Sequence, residues 1–390
     1  MKKKILPAVL TLTLTLGFSA AVFAEEAAKE AEAESTETTE ATDPAADDEE
    51  NRTKSGYLLA AGYEFLDSVT VPVGTDNKSL EVEGQEPKNA EKLTIEIPGQ
   101  DVEMNMYVFR PAGYEEGEIT PLIYFIHGGG YHFGNVSMDE SKIQGVADGA
   151  NATVISPDYT LSLDPGYKYP MELEQVYAGL AYAYEHAEEL NVDKDNIVIE
   201  GESAGGGLTA RLGLYNRDKG EVPLKGQFLI YPMLDYRTGG EEDIYDNQFA
   251  GEVIWTKENN IFGWGKLIEG QEEELPEEEM IYFSPAVATV EQLKGLPETF
   301  IIVGSLDLFC DEDMDYAQKL MEAGIFTELH VEPGVPHAYE YLEWTPQADR
   351  FFALRDHATL RMLGMSEESK APEEDIDYEG ILKYLMGKDQ

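Results

Sequence analysis

The chain has 390 residues, of which 42% are hydrophobic, and its 77 acidic and 28 basic side chains give a formal net charge of −49. A protein of this charge is repelled by nucleic acid and by anionic membrane surfaces, so neither is an expected partner. Cys310 is the only cysteine and cannot form an internal disulfide.

The first 24 residues have the pattern of an export signal. Lysines at positions 2–4 precede an apolar stretch over 5–22, and Ala24 is a small residue of the kind that a signal peptidase accepts. The apolar stretch contains threonines and is short for a membrane span, which argues against a retained anchor. We therefore expect a secreted, extracytoplasmic protein with no stable membrane insertion after signal removal.

Composition divides the rest of the chain into three parts. Residues 25–54 are rich in Glu, Ala, Thr and Asp and contain no aromatic side chain, so they cannot bury a core and are predicted to be an acidic disordered spacer. Residues 55–365 are long enough for one large domain. Residues 366–390 are predicted to be a C-terminal tail with an amphipathic helix over 378–386.

Within the domain, strand patterns alternate with helix patterns, which is typical of the α/β class. Segments 92–97 and 102–109 alternate apolar and polar residues, as expected for edge strands of an antiparallel hairpin at the start of a sheet. Segment 121–126 is continuously apolar, as in a parallel strand buried on both faces. Segments 57–73 and 239–280 do not fit the alternation.

Two glycine-rich turns follow buried-type strands. His127 and three glycines follow strand 121–126, and Gly-Glu-Ser-Ala-Gly at 201–205 lies between strand 196–200 and a predicted helix over 203–214. The first turn can direct backbone N–H groups into a cleft, and the second has the strand-turn-helix setting of a nucleophilic serine, Ser203. Each motif alone is more often an ordinary turn, but both in this order favour a catalytic interpretation.

A nucleophilic serine needs a general base, and the chain offers six histidines. His337 is the predicted base because it lies in a turn-rich loop after the predicted strand 326–331, where a base would be accessible. The others are interpreted as a brace of the glycine loop (His127), a cleft or exposed residue (His132), helix residues (His186 and His357) and a strand residue (His330).

Two aspartates compete to orient this histidine. Asp307 directly follows the buried-type strand 298–304, at the edge where open α/β sheets bind ligands. Asp311 precedes a helix predicted over 312–323, so we interpret it as the helix N-cap. The sequence therefore favours Asp307 as the triad acid.

These motifs, in this order, resemble the bacterial hormone-sensitive-lipase-type carboxylesterases of the α/β-hydrolase superfamily. The similarity covers about residues 120–363 and includes Ser-Pro-Asp-Tyr at 156–159 and the Gly-x-x-His that ends at His337. The resemblance implies an α/β-hydrolase fold, with a mostly parallel central sheet, helices on both faces and a cap over the active site. Segments near 57–73 and 239–280 would form that cap.

The resemblance also implies the chemistry. The expected protein is an exported serine carboxylesterase with a Ser-His-Asp triad that acts on short-chain acyl esters, and acetyl esters of carbohydrates are candidate substrates. The oxyanion hole would consist of the N–H groups of Gly128, Gly129 and Ala204, and no metal or cofactor is implied.

Substrate contacts and the reaction class remain open from sequence alone. His132, Trp255 and Trp264 are candidate substrate-binding residues, but the two tryptophans could equally pack the cap against the body. A serine amidase or exopeptidase would use the same triad, because triad chemistry does not fix the leaving group. A non-catalytic binding protein on a hydrolase scaffold is a less favoured alternative, and the oligomeric state is not indicated.

Overall fold

A computed structural model of the protein describes residues 52–271 and 275–365. The predicted signal peptide (1–24), nearly all of the predicted spacer (25–51) and the predicted tail with its amphipathic helix (366–390) lie outside the described residues. Within the described ranges, no helix is long and apolar enough to cross a membrane.

The described residues form one eight-stranded sheet. Its strands are β1 (Glu91–Glu96), β2 (Glu103–Phe109), β3 (Thr120–Ile126), β4 (Thr153–Asp158), β5 (Val192–Glu202), β6 (Gly226–Ile230), β7 (Glu298–Gly304) and β8 (Thr327–Glu332). Their order is β1-β2-β4-β3-β5-β6-β7-β8, with β2 antiparallel to both β1 and β4 and the remaining neighbours parallel. The expected α/β architecture and mostly parallel sheet are confirmed.

Helices cover both faces of this sheet. They are α1 (Glu140–Ala150), α2 (Met171–Glu185), α3 (Ala204–Lys219), α4 (Lys257–Leu267), α5 (Met280–Phe283), α6 (Val290–Leu293), α7 (Cys310–Glu322) and α8 (Pro346–Met362). Side chains of β3 alternate between the two faces: Leu122 and Tyr124 pack with α2 and α3, whereas Ile123 and Phe125 pack with α1 and α8. The parallel strands are therefore buried on both faces, as the continuous apolar run of β3 predicted.

The predicted hairpin forms, but only one of its strands is an edge strand. β1 and β2 pair in antiparallel register from Glu91 opposite Val108 to Glu96 opposite Glu103. The free edge of β2 then pairs with β4, in register from Asn105 to Phe109. The expectation that both strands lie at the edge is therefore wrong, since β2 hydrogen-bonds on both sides.

The two segments outside the α/β alternation pair with each other through backbone hydrogen bonds. The Val71 N–H donates to the Ile254 carbonyl at 2.8 Å, and the Ile254 N–H donates to the Val69 carbonyl at 2.7 Å. Short 3₁₀ turns at Gly56–Leu58 and Glu64–Leu66 belong to the first segment, and α4 lies within the second. This pairing ties the start of the domain to residues almost two hundred positions later.

Candidate active site

Ser203 occupies a strained turn between β5 and α3. Its φ of 55° and ψ of −122° lie outside the regions that most L-residues adopt. A Cβ on Gly201 would overlap the Gly205 carbonyl oxygen, and one on Gly205 would overlap that of Ile126. The flanking glycines are thus required by close backbone contacts, and the turn has the form of the predicted nucleophile elbow.

The structure brings Ser203 together with His337 and Asp307. The His337 Nε2 atom lies 2.9 Å from Ser203 Oγ, and its Nδ1 atom lies 2.7 Å from Asp307 Oδ2. The other carboxylate oxygen of Asp307 accepts the Phe309 N–H at 3.0 Å, which fixes the orientation of the carboxylate. All three side chains are buried. The arrangement has the geometry of a nucleophile, a base and an orienting acid.

Asp311 lies elsewhere, and its predicted role is wrong. Helix α7 begins at Cys310 with Phe309 in the N-cap position, so Asp311 is the second residue of the helix. The helix begins earlier than predicted because the turn closed by Asp307 leads directly into it, with the Cys310 N–H donating to the Asp307 carbonyl at 3.2 Å. Asp311 adds negative charge to the first helical turn, where the helix dipole favours it.

Gly128, Gly129 and Ala204 lie around Ser203. Gly128 and Gly129 line the same pocket as Ser203, and a Cβ on Gly128 would be 3.3 Å from the serine Cβ. Gly129 has a φ of +113°, and a Cβ there would collide with the Phe133 carbonyl oxygen. Ala204 is the first residue of α3, where N–H groups have no intrahelical acceptor. The three residues of the predicted oxyanion hole therefore lie near Ser203.

A pocket of about 160 Å³ opens above the triad. Its wall is mainly apolar and comes from segment 66–72, the glycine loop, Phe133, Met138, Tyr231, Ile254, Trp255 and residues 337–342. Trp255, a predicted substrate-binding residue, lies in this wall with its ring centroid 6.3 Å from that of His337. Both cap segments therefore contribute to the space where a substrate would bind.

His132 and Trp264, the other two candidates, lie outside the lining. His132 Nδ1 is 2.8 Å from the Thr75 carbonyl oxygen, and its ring packs against Phe133 and Phe262. Burial lowers the pKa of His132 to about 4, so the ring is neutral and Nδ1 donates this hydrogen bond. Trp264 packs against Tyr131 and Phe283 in the core. Of the two tryptophans, Trp255 therefore lies in the pocket wall and Trp264 in the core.

The remaining histidines have local partners. His127 stacks on Tyr159, whose hydroxyl donates to the His127 carbonyl at 2.9 Å, consistent with a brace of the glycine loop. His330 contacts Glu328 within β8 at 2.7 Å, and His186 stacks on Tyr182 at the end of α2.

A buried ionic cluster adjoins the triad, and sequence reasoning missed it. Lys142 Nζ, on α1, donates to Glu202 at 2.6 Å and to Glu340 at 2.9 Å, and the Tyr231 hydroxyl also donates to Glu340. The position of Glu202 inside the Gly-x-Ser-x-Gly motif was the only feature of the sequence that could have pointed to this cluster. Lys142 belongs to no motif.

Two carboxylates share one cation in this cluster. Burial raises the pKa of Glu202 to about 8, although Lys142 opposes the shift. Burial acts to lower the pKa of Lys142, but Glu202 and Glu340 outweigh it and hold that pKa well above its usual value. Lys142 therefore stays charged, and Glu202 binds a proton more tightly than an exposed glutamate does.

Comparison with known proteins identifies related hydrolases. The profile of the alpha/beta hydrolase fold family matches residues 123–341. Carboxylesterase NlhH of Mycobacterium tuberculosis is 31% identical over 226 residues, which cover 56% of this chain and 66% of that protein. The arylesterase of Saccharolobus solfataricus is 27% identical over 259 residues, covering 64% and 77%. The solved structure of a bacterial heroin esterase is 32% identical with a TM-score of 0.63, covering 72% and 87%.

The chain belongs to the hormone-sensitive-lipase-type carboxylesterases of the α/β-hydrolase superfamily, as its motifs predicted. It is a carboxylic ester hydrolase.

Proposed function

We propose that the protein is an exported serine carboxylesterase that hydrolyses short-chain acyl esters through Ser203, His337 and Asp307. The observation that carries the proposal is the contact of His337 with both partners, 2.9 Å to Ser203 Oγ and 2.7 Å to Asp307 Oδ2, inside a largely apolar pocket. This is the hydrogen-bonded chain that activates a serine hydroxyl.

The geometry supports a two-step reaction. Ser203 Oγ attacks the ester carbonyl while His337 Nε2 takes its proton, and Asp307 stabilises the imidazolium that forms. The tetrahedral oxyanion accepts hydrogen bonds from the N–H groups of Gly128, Gly129 and Ala204. His337 then protonates the leaving alcohol, and water repeats the same steps on the acyl-enzyme to release the acid and restore Ser203.

The size and polarity of the pocket support short acyl groups. Its volume of about 160 Å³ is below the roughly 300–1,000 Å³ typical of pockets for drug-sized ligands. Each added methylene contributes about 0.8 kcal/mol only where the pocket has room for it, so affinity should stop rising after a few carbons. We propose acyl chains from acetyl to about hexanoyl.

Matched substrates test the reaction class. We expect turnover of p-nitrophenyl esters to peak within the short-chain range and Ser203→Ala to abolish it. Matched anilides should be turned over far more slowly; equal rates would instead make the enzyme an amidase. Acetylated sugars measured beside simple acetyl esters test the carbohydrate candidate. Failure of the wild-type protein to turn over any ester or amide would favour a binding role.

Export is tested separately from catalysis. The basic start, the apolar stretch over 5–22 and Ala24 support cleavage before Glu25. We expect N-terminal sequencing of protein recovered outside the cytoplasm to begin at Glu25. A start near Glu50 would make the acidic segment a removed pro-segment, and uncleaved protein in the cytoplasm would contradict export.

A further inference from the structure

Lys142 connects helix α1 to two separate segments of the active site. It lies in α1, which follows the glycine loop along the chain. Its ammonium donates to Glu202, the residue before the nucleophile, and to Glu340, three residues after His337. One side chain therefore links α1, the nucleophile elbow and the histidine loop.

The connection continues to the histidine ring. The Tyr231 hydroxyl donates to Glu340, and the Tyr231 ring packs edge-on against His337 with a centroid separation of 4.7 Å. The Lys142 ammonium also lies 3.5 Å from the ring centroid of Tyr341. Movement of Lys142 would thus reach His337 through a continuous set of packed, hydrogen-bonded side chains.

The burial of these groups restricts their geometry. The side chains of Lys142, Glu202 and Glu340 are 9%, 4% and 0% exposed, so bulk solvent has little access to the bonds between them. A buried ion pair is often no more stabilising than well-packed apolar side chains, so net stability alone does not account for its presence. Its directional bonds do fix the relative positions of the backbone segments that carry it.

We propose that Lys142 is a positioning residue for ester hydrolysis, holding Ser203 and His337 in hydrogen-bonding register through Glu202 and Glu340. The inference rests on the proposed triad. Misplacement of reacting groups by about 1 Å can cost about 10²-fold in rate, so loss of this link should reduce kcat much more than it changes KM.

The central test replaces the lysine. Lys142→Met should lower kcat about 10- to 100-fold with KM within about threefold of wild type, and should slow inactivation by a serine-directed organophosphate to a similar extent. Lys142→Arg, which keeps a buried donor cation, should recover most of the lost kcat. Lys319→Met is the control, since Lys319 forms a more exposed ion pair, 2.7 Å from Asp315, that lies outside the pocket lining.

A triple variant distinguishes two roles of Lys142, positioning of the catalytic groups and neutralisation of the nearby carboxylates. Lys142→Met combined with Glu202→Gln and Glu340→Gln removes the cation together with both carboxylates that accept its hydrogen bonds, and it carries the test if the single variant does not fold. We expect kcat to stay low in this folded variant. Recovery of wild-type kcat would show that Lys142 only neutralises carboxylates and would overturn the proposal.

Two further outcomes would also overturn it. The first is a kcat of Lys142→Met equal to that of Lys319→Met, and the second is a change confined to KM. Failure of the proposed function looks different, because Ser203→Ala would then remain active, or the wild-type protein would turn over no ester.

Discussion

Glu200 is a buried carboxylate in the middle of the sheet, and its ionisation should contribute measurably to the pH dependence of stability. It lies on β5 between Phe125 of β3 and Phe228 of β6. Its side chain is 1% exposed, and within the described ranges neither carboxylate oxygen has a hydrogen-bond partner. Burial raises the pKa of Glu200 from 4.5 to about 7, although the charge of Arg355 acts in the opposite direction.

The sign of the effect follows from proton binding. The folded state binds the Glu200 proton more tightly than the unfolded state, so its contribution to stability is complete below about pH 4.5 and is lost as the pH rises to about 7. Each tenfold difference in proton affinity is worth about 1.4 kcal/mol, so the total loss is about 3 kcal/mol. Glutamine has a similar shape and no titrating proton, so Glu200→Gln should not show this loss.

Urea denaturation at pH 5 and pH 8 measures the difference. The free energy of unfolding of Glu200→Gln, minus that of wild type, should increase by roughly 2 to 3 kcal/mol over this range. Other titrating groups are common to both proteins and cancel in the difference. Glu116→Gln, at an exposed position, is the matched control and should show a constant difference. A constant difference for Glu200→Gln as well would mean that this carboxylate is already ionised at pH 5, and would refute the argument.

Three further predictions concern the active site and its walls. Asp307→Asn should leave the thermal melting temperature nearly unchanged but lower kcat by up to about 10⁴-fold, because His337 would then adopt the wrong tautomer. Asp311→Asn should change kcat little. Gly129→Ala should lower both the melting temperature and kcat. The backbone at residue 129 has a positive φ that strains any residue other than glycine, and the new Cβ would collide with the Phe133 carbonyl oxygen. Trp255→Ala should shift the acyl-chain optimum to longer esters, whereas Trp264→Ala should destabilise by about 3–5 kcal/mol without moving it.

Each of these predictions has a contradicting result. A folded Asp311→Asn variant with the larger loss of kcat would exchange the assignments of the two aspartates. A fully active Gly129→Ala would show that the glycine loop adjusts freely. An unchanged chain-length profile in Trp255→Ala would place the acyl group away from this wall.

The fold and the proximity of the triad residues were accessible from the sequence because they depend on local patterns. Apolar runs of strand length marked β3, β5 and β7, and the glycine turns followed two of them directly. In a parallel sheet, the carboxyl ends of the strands all lie along the same edge of the sheet. Ser203, Asp307 and His337 therefore had to approach each other once the strands were placed in order.

Contacts between side chains that are far apart in the sequence could not be predicted from local patterns. Lys142 reaches Glu340 across 198 positions, and nothing in the periodicity of α1 distinguishes this lysine from an exposed one. His132 and Trp264 were aromatic candidates in suitable segments, but which ring faces the pocket depends on packing against Phe283 and Phe262. The start of α7 was misplaced because Asp307 forms the turn that begins it.

The pairing of residues 69–71 with Ile254 has a consequence for the order of assembly. Residues 69–71 can pair only after Ile254, much later in the chain, has reached them. Contacts between remote parts of a chain form slowly because closing the intervening loop costs conformational entropy. The wall of the pocket should therefore be among the last parts to form. Recovered ester hydrolysis is then a stricter measure of complete folding than recovered helical content.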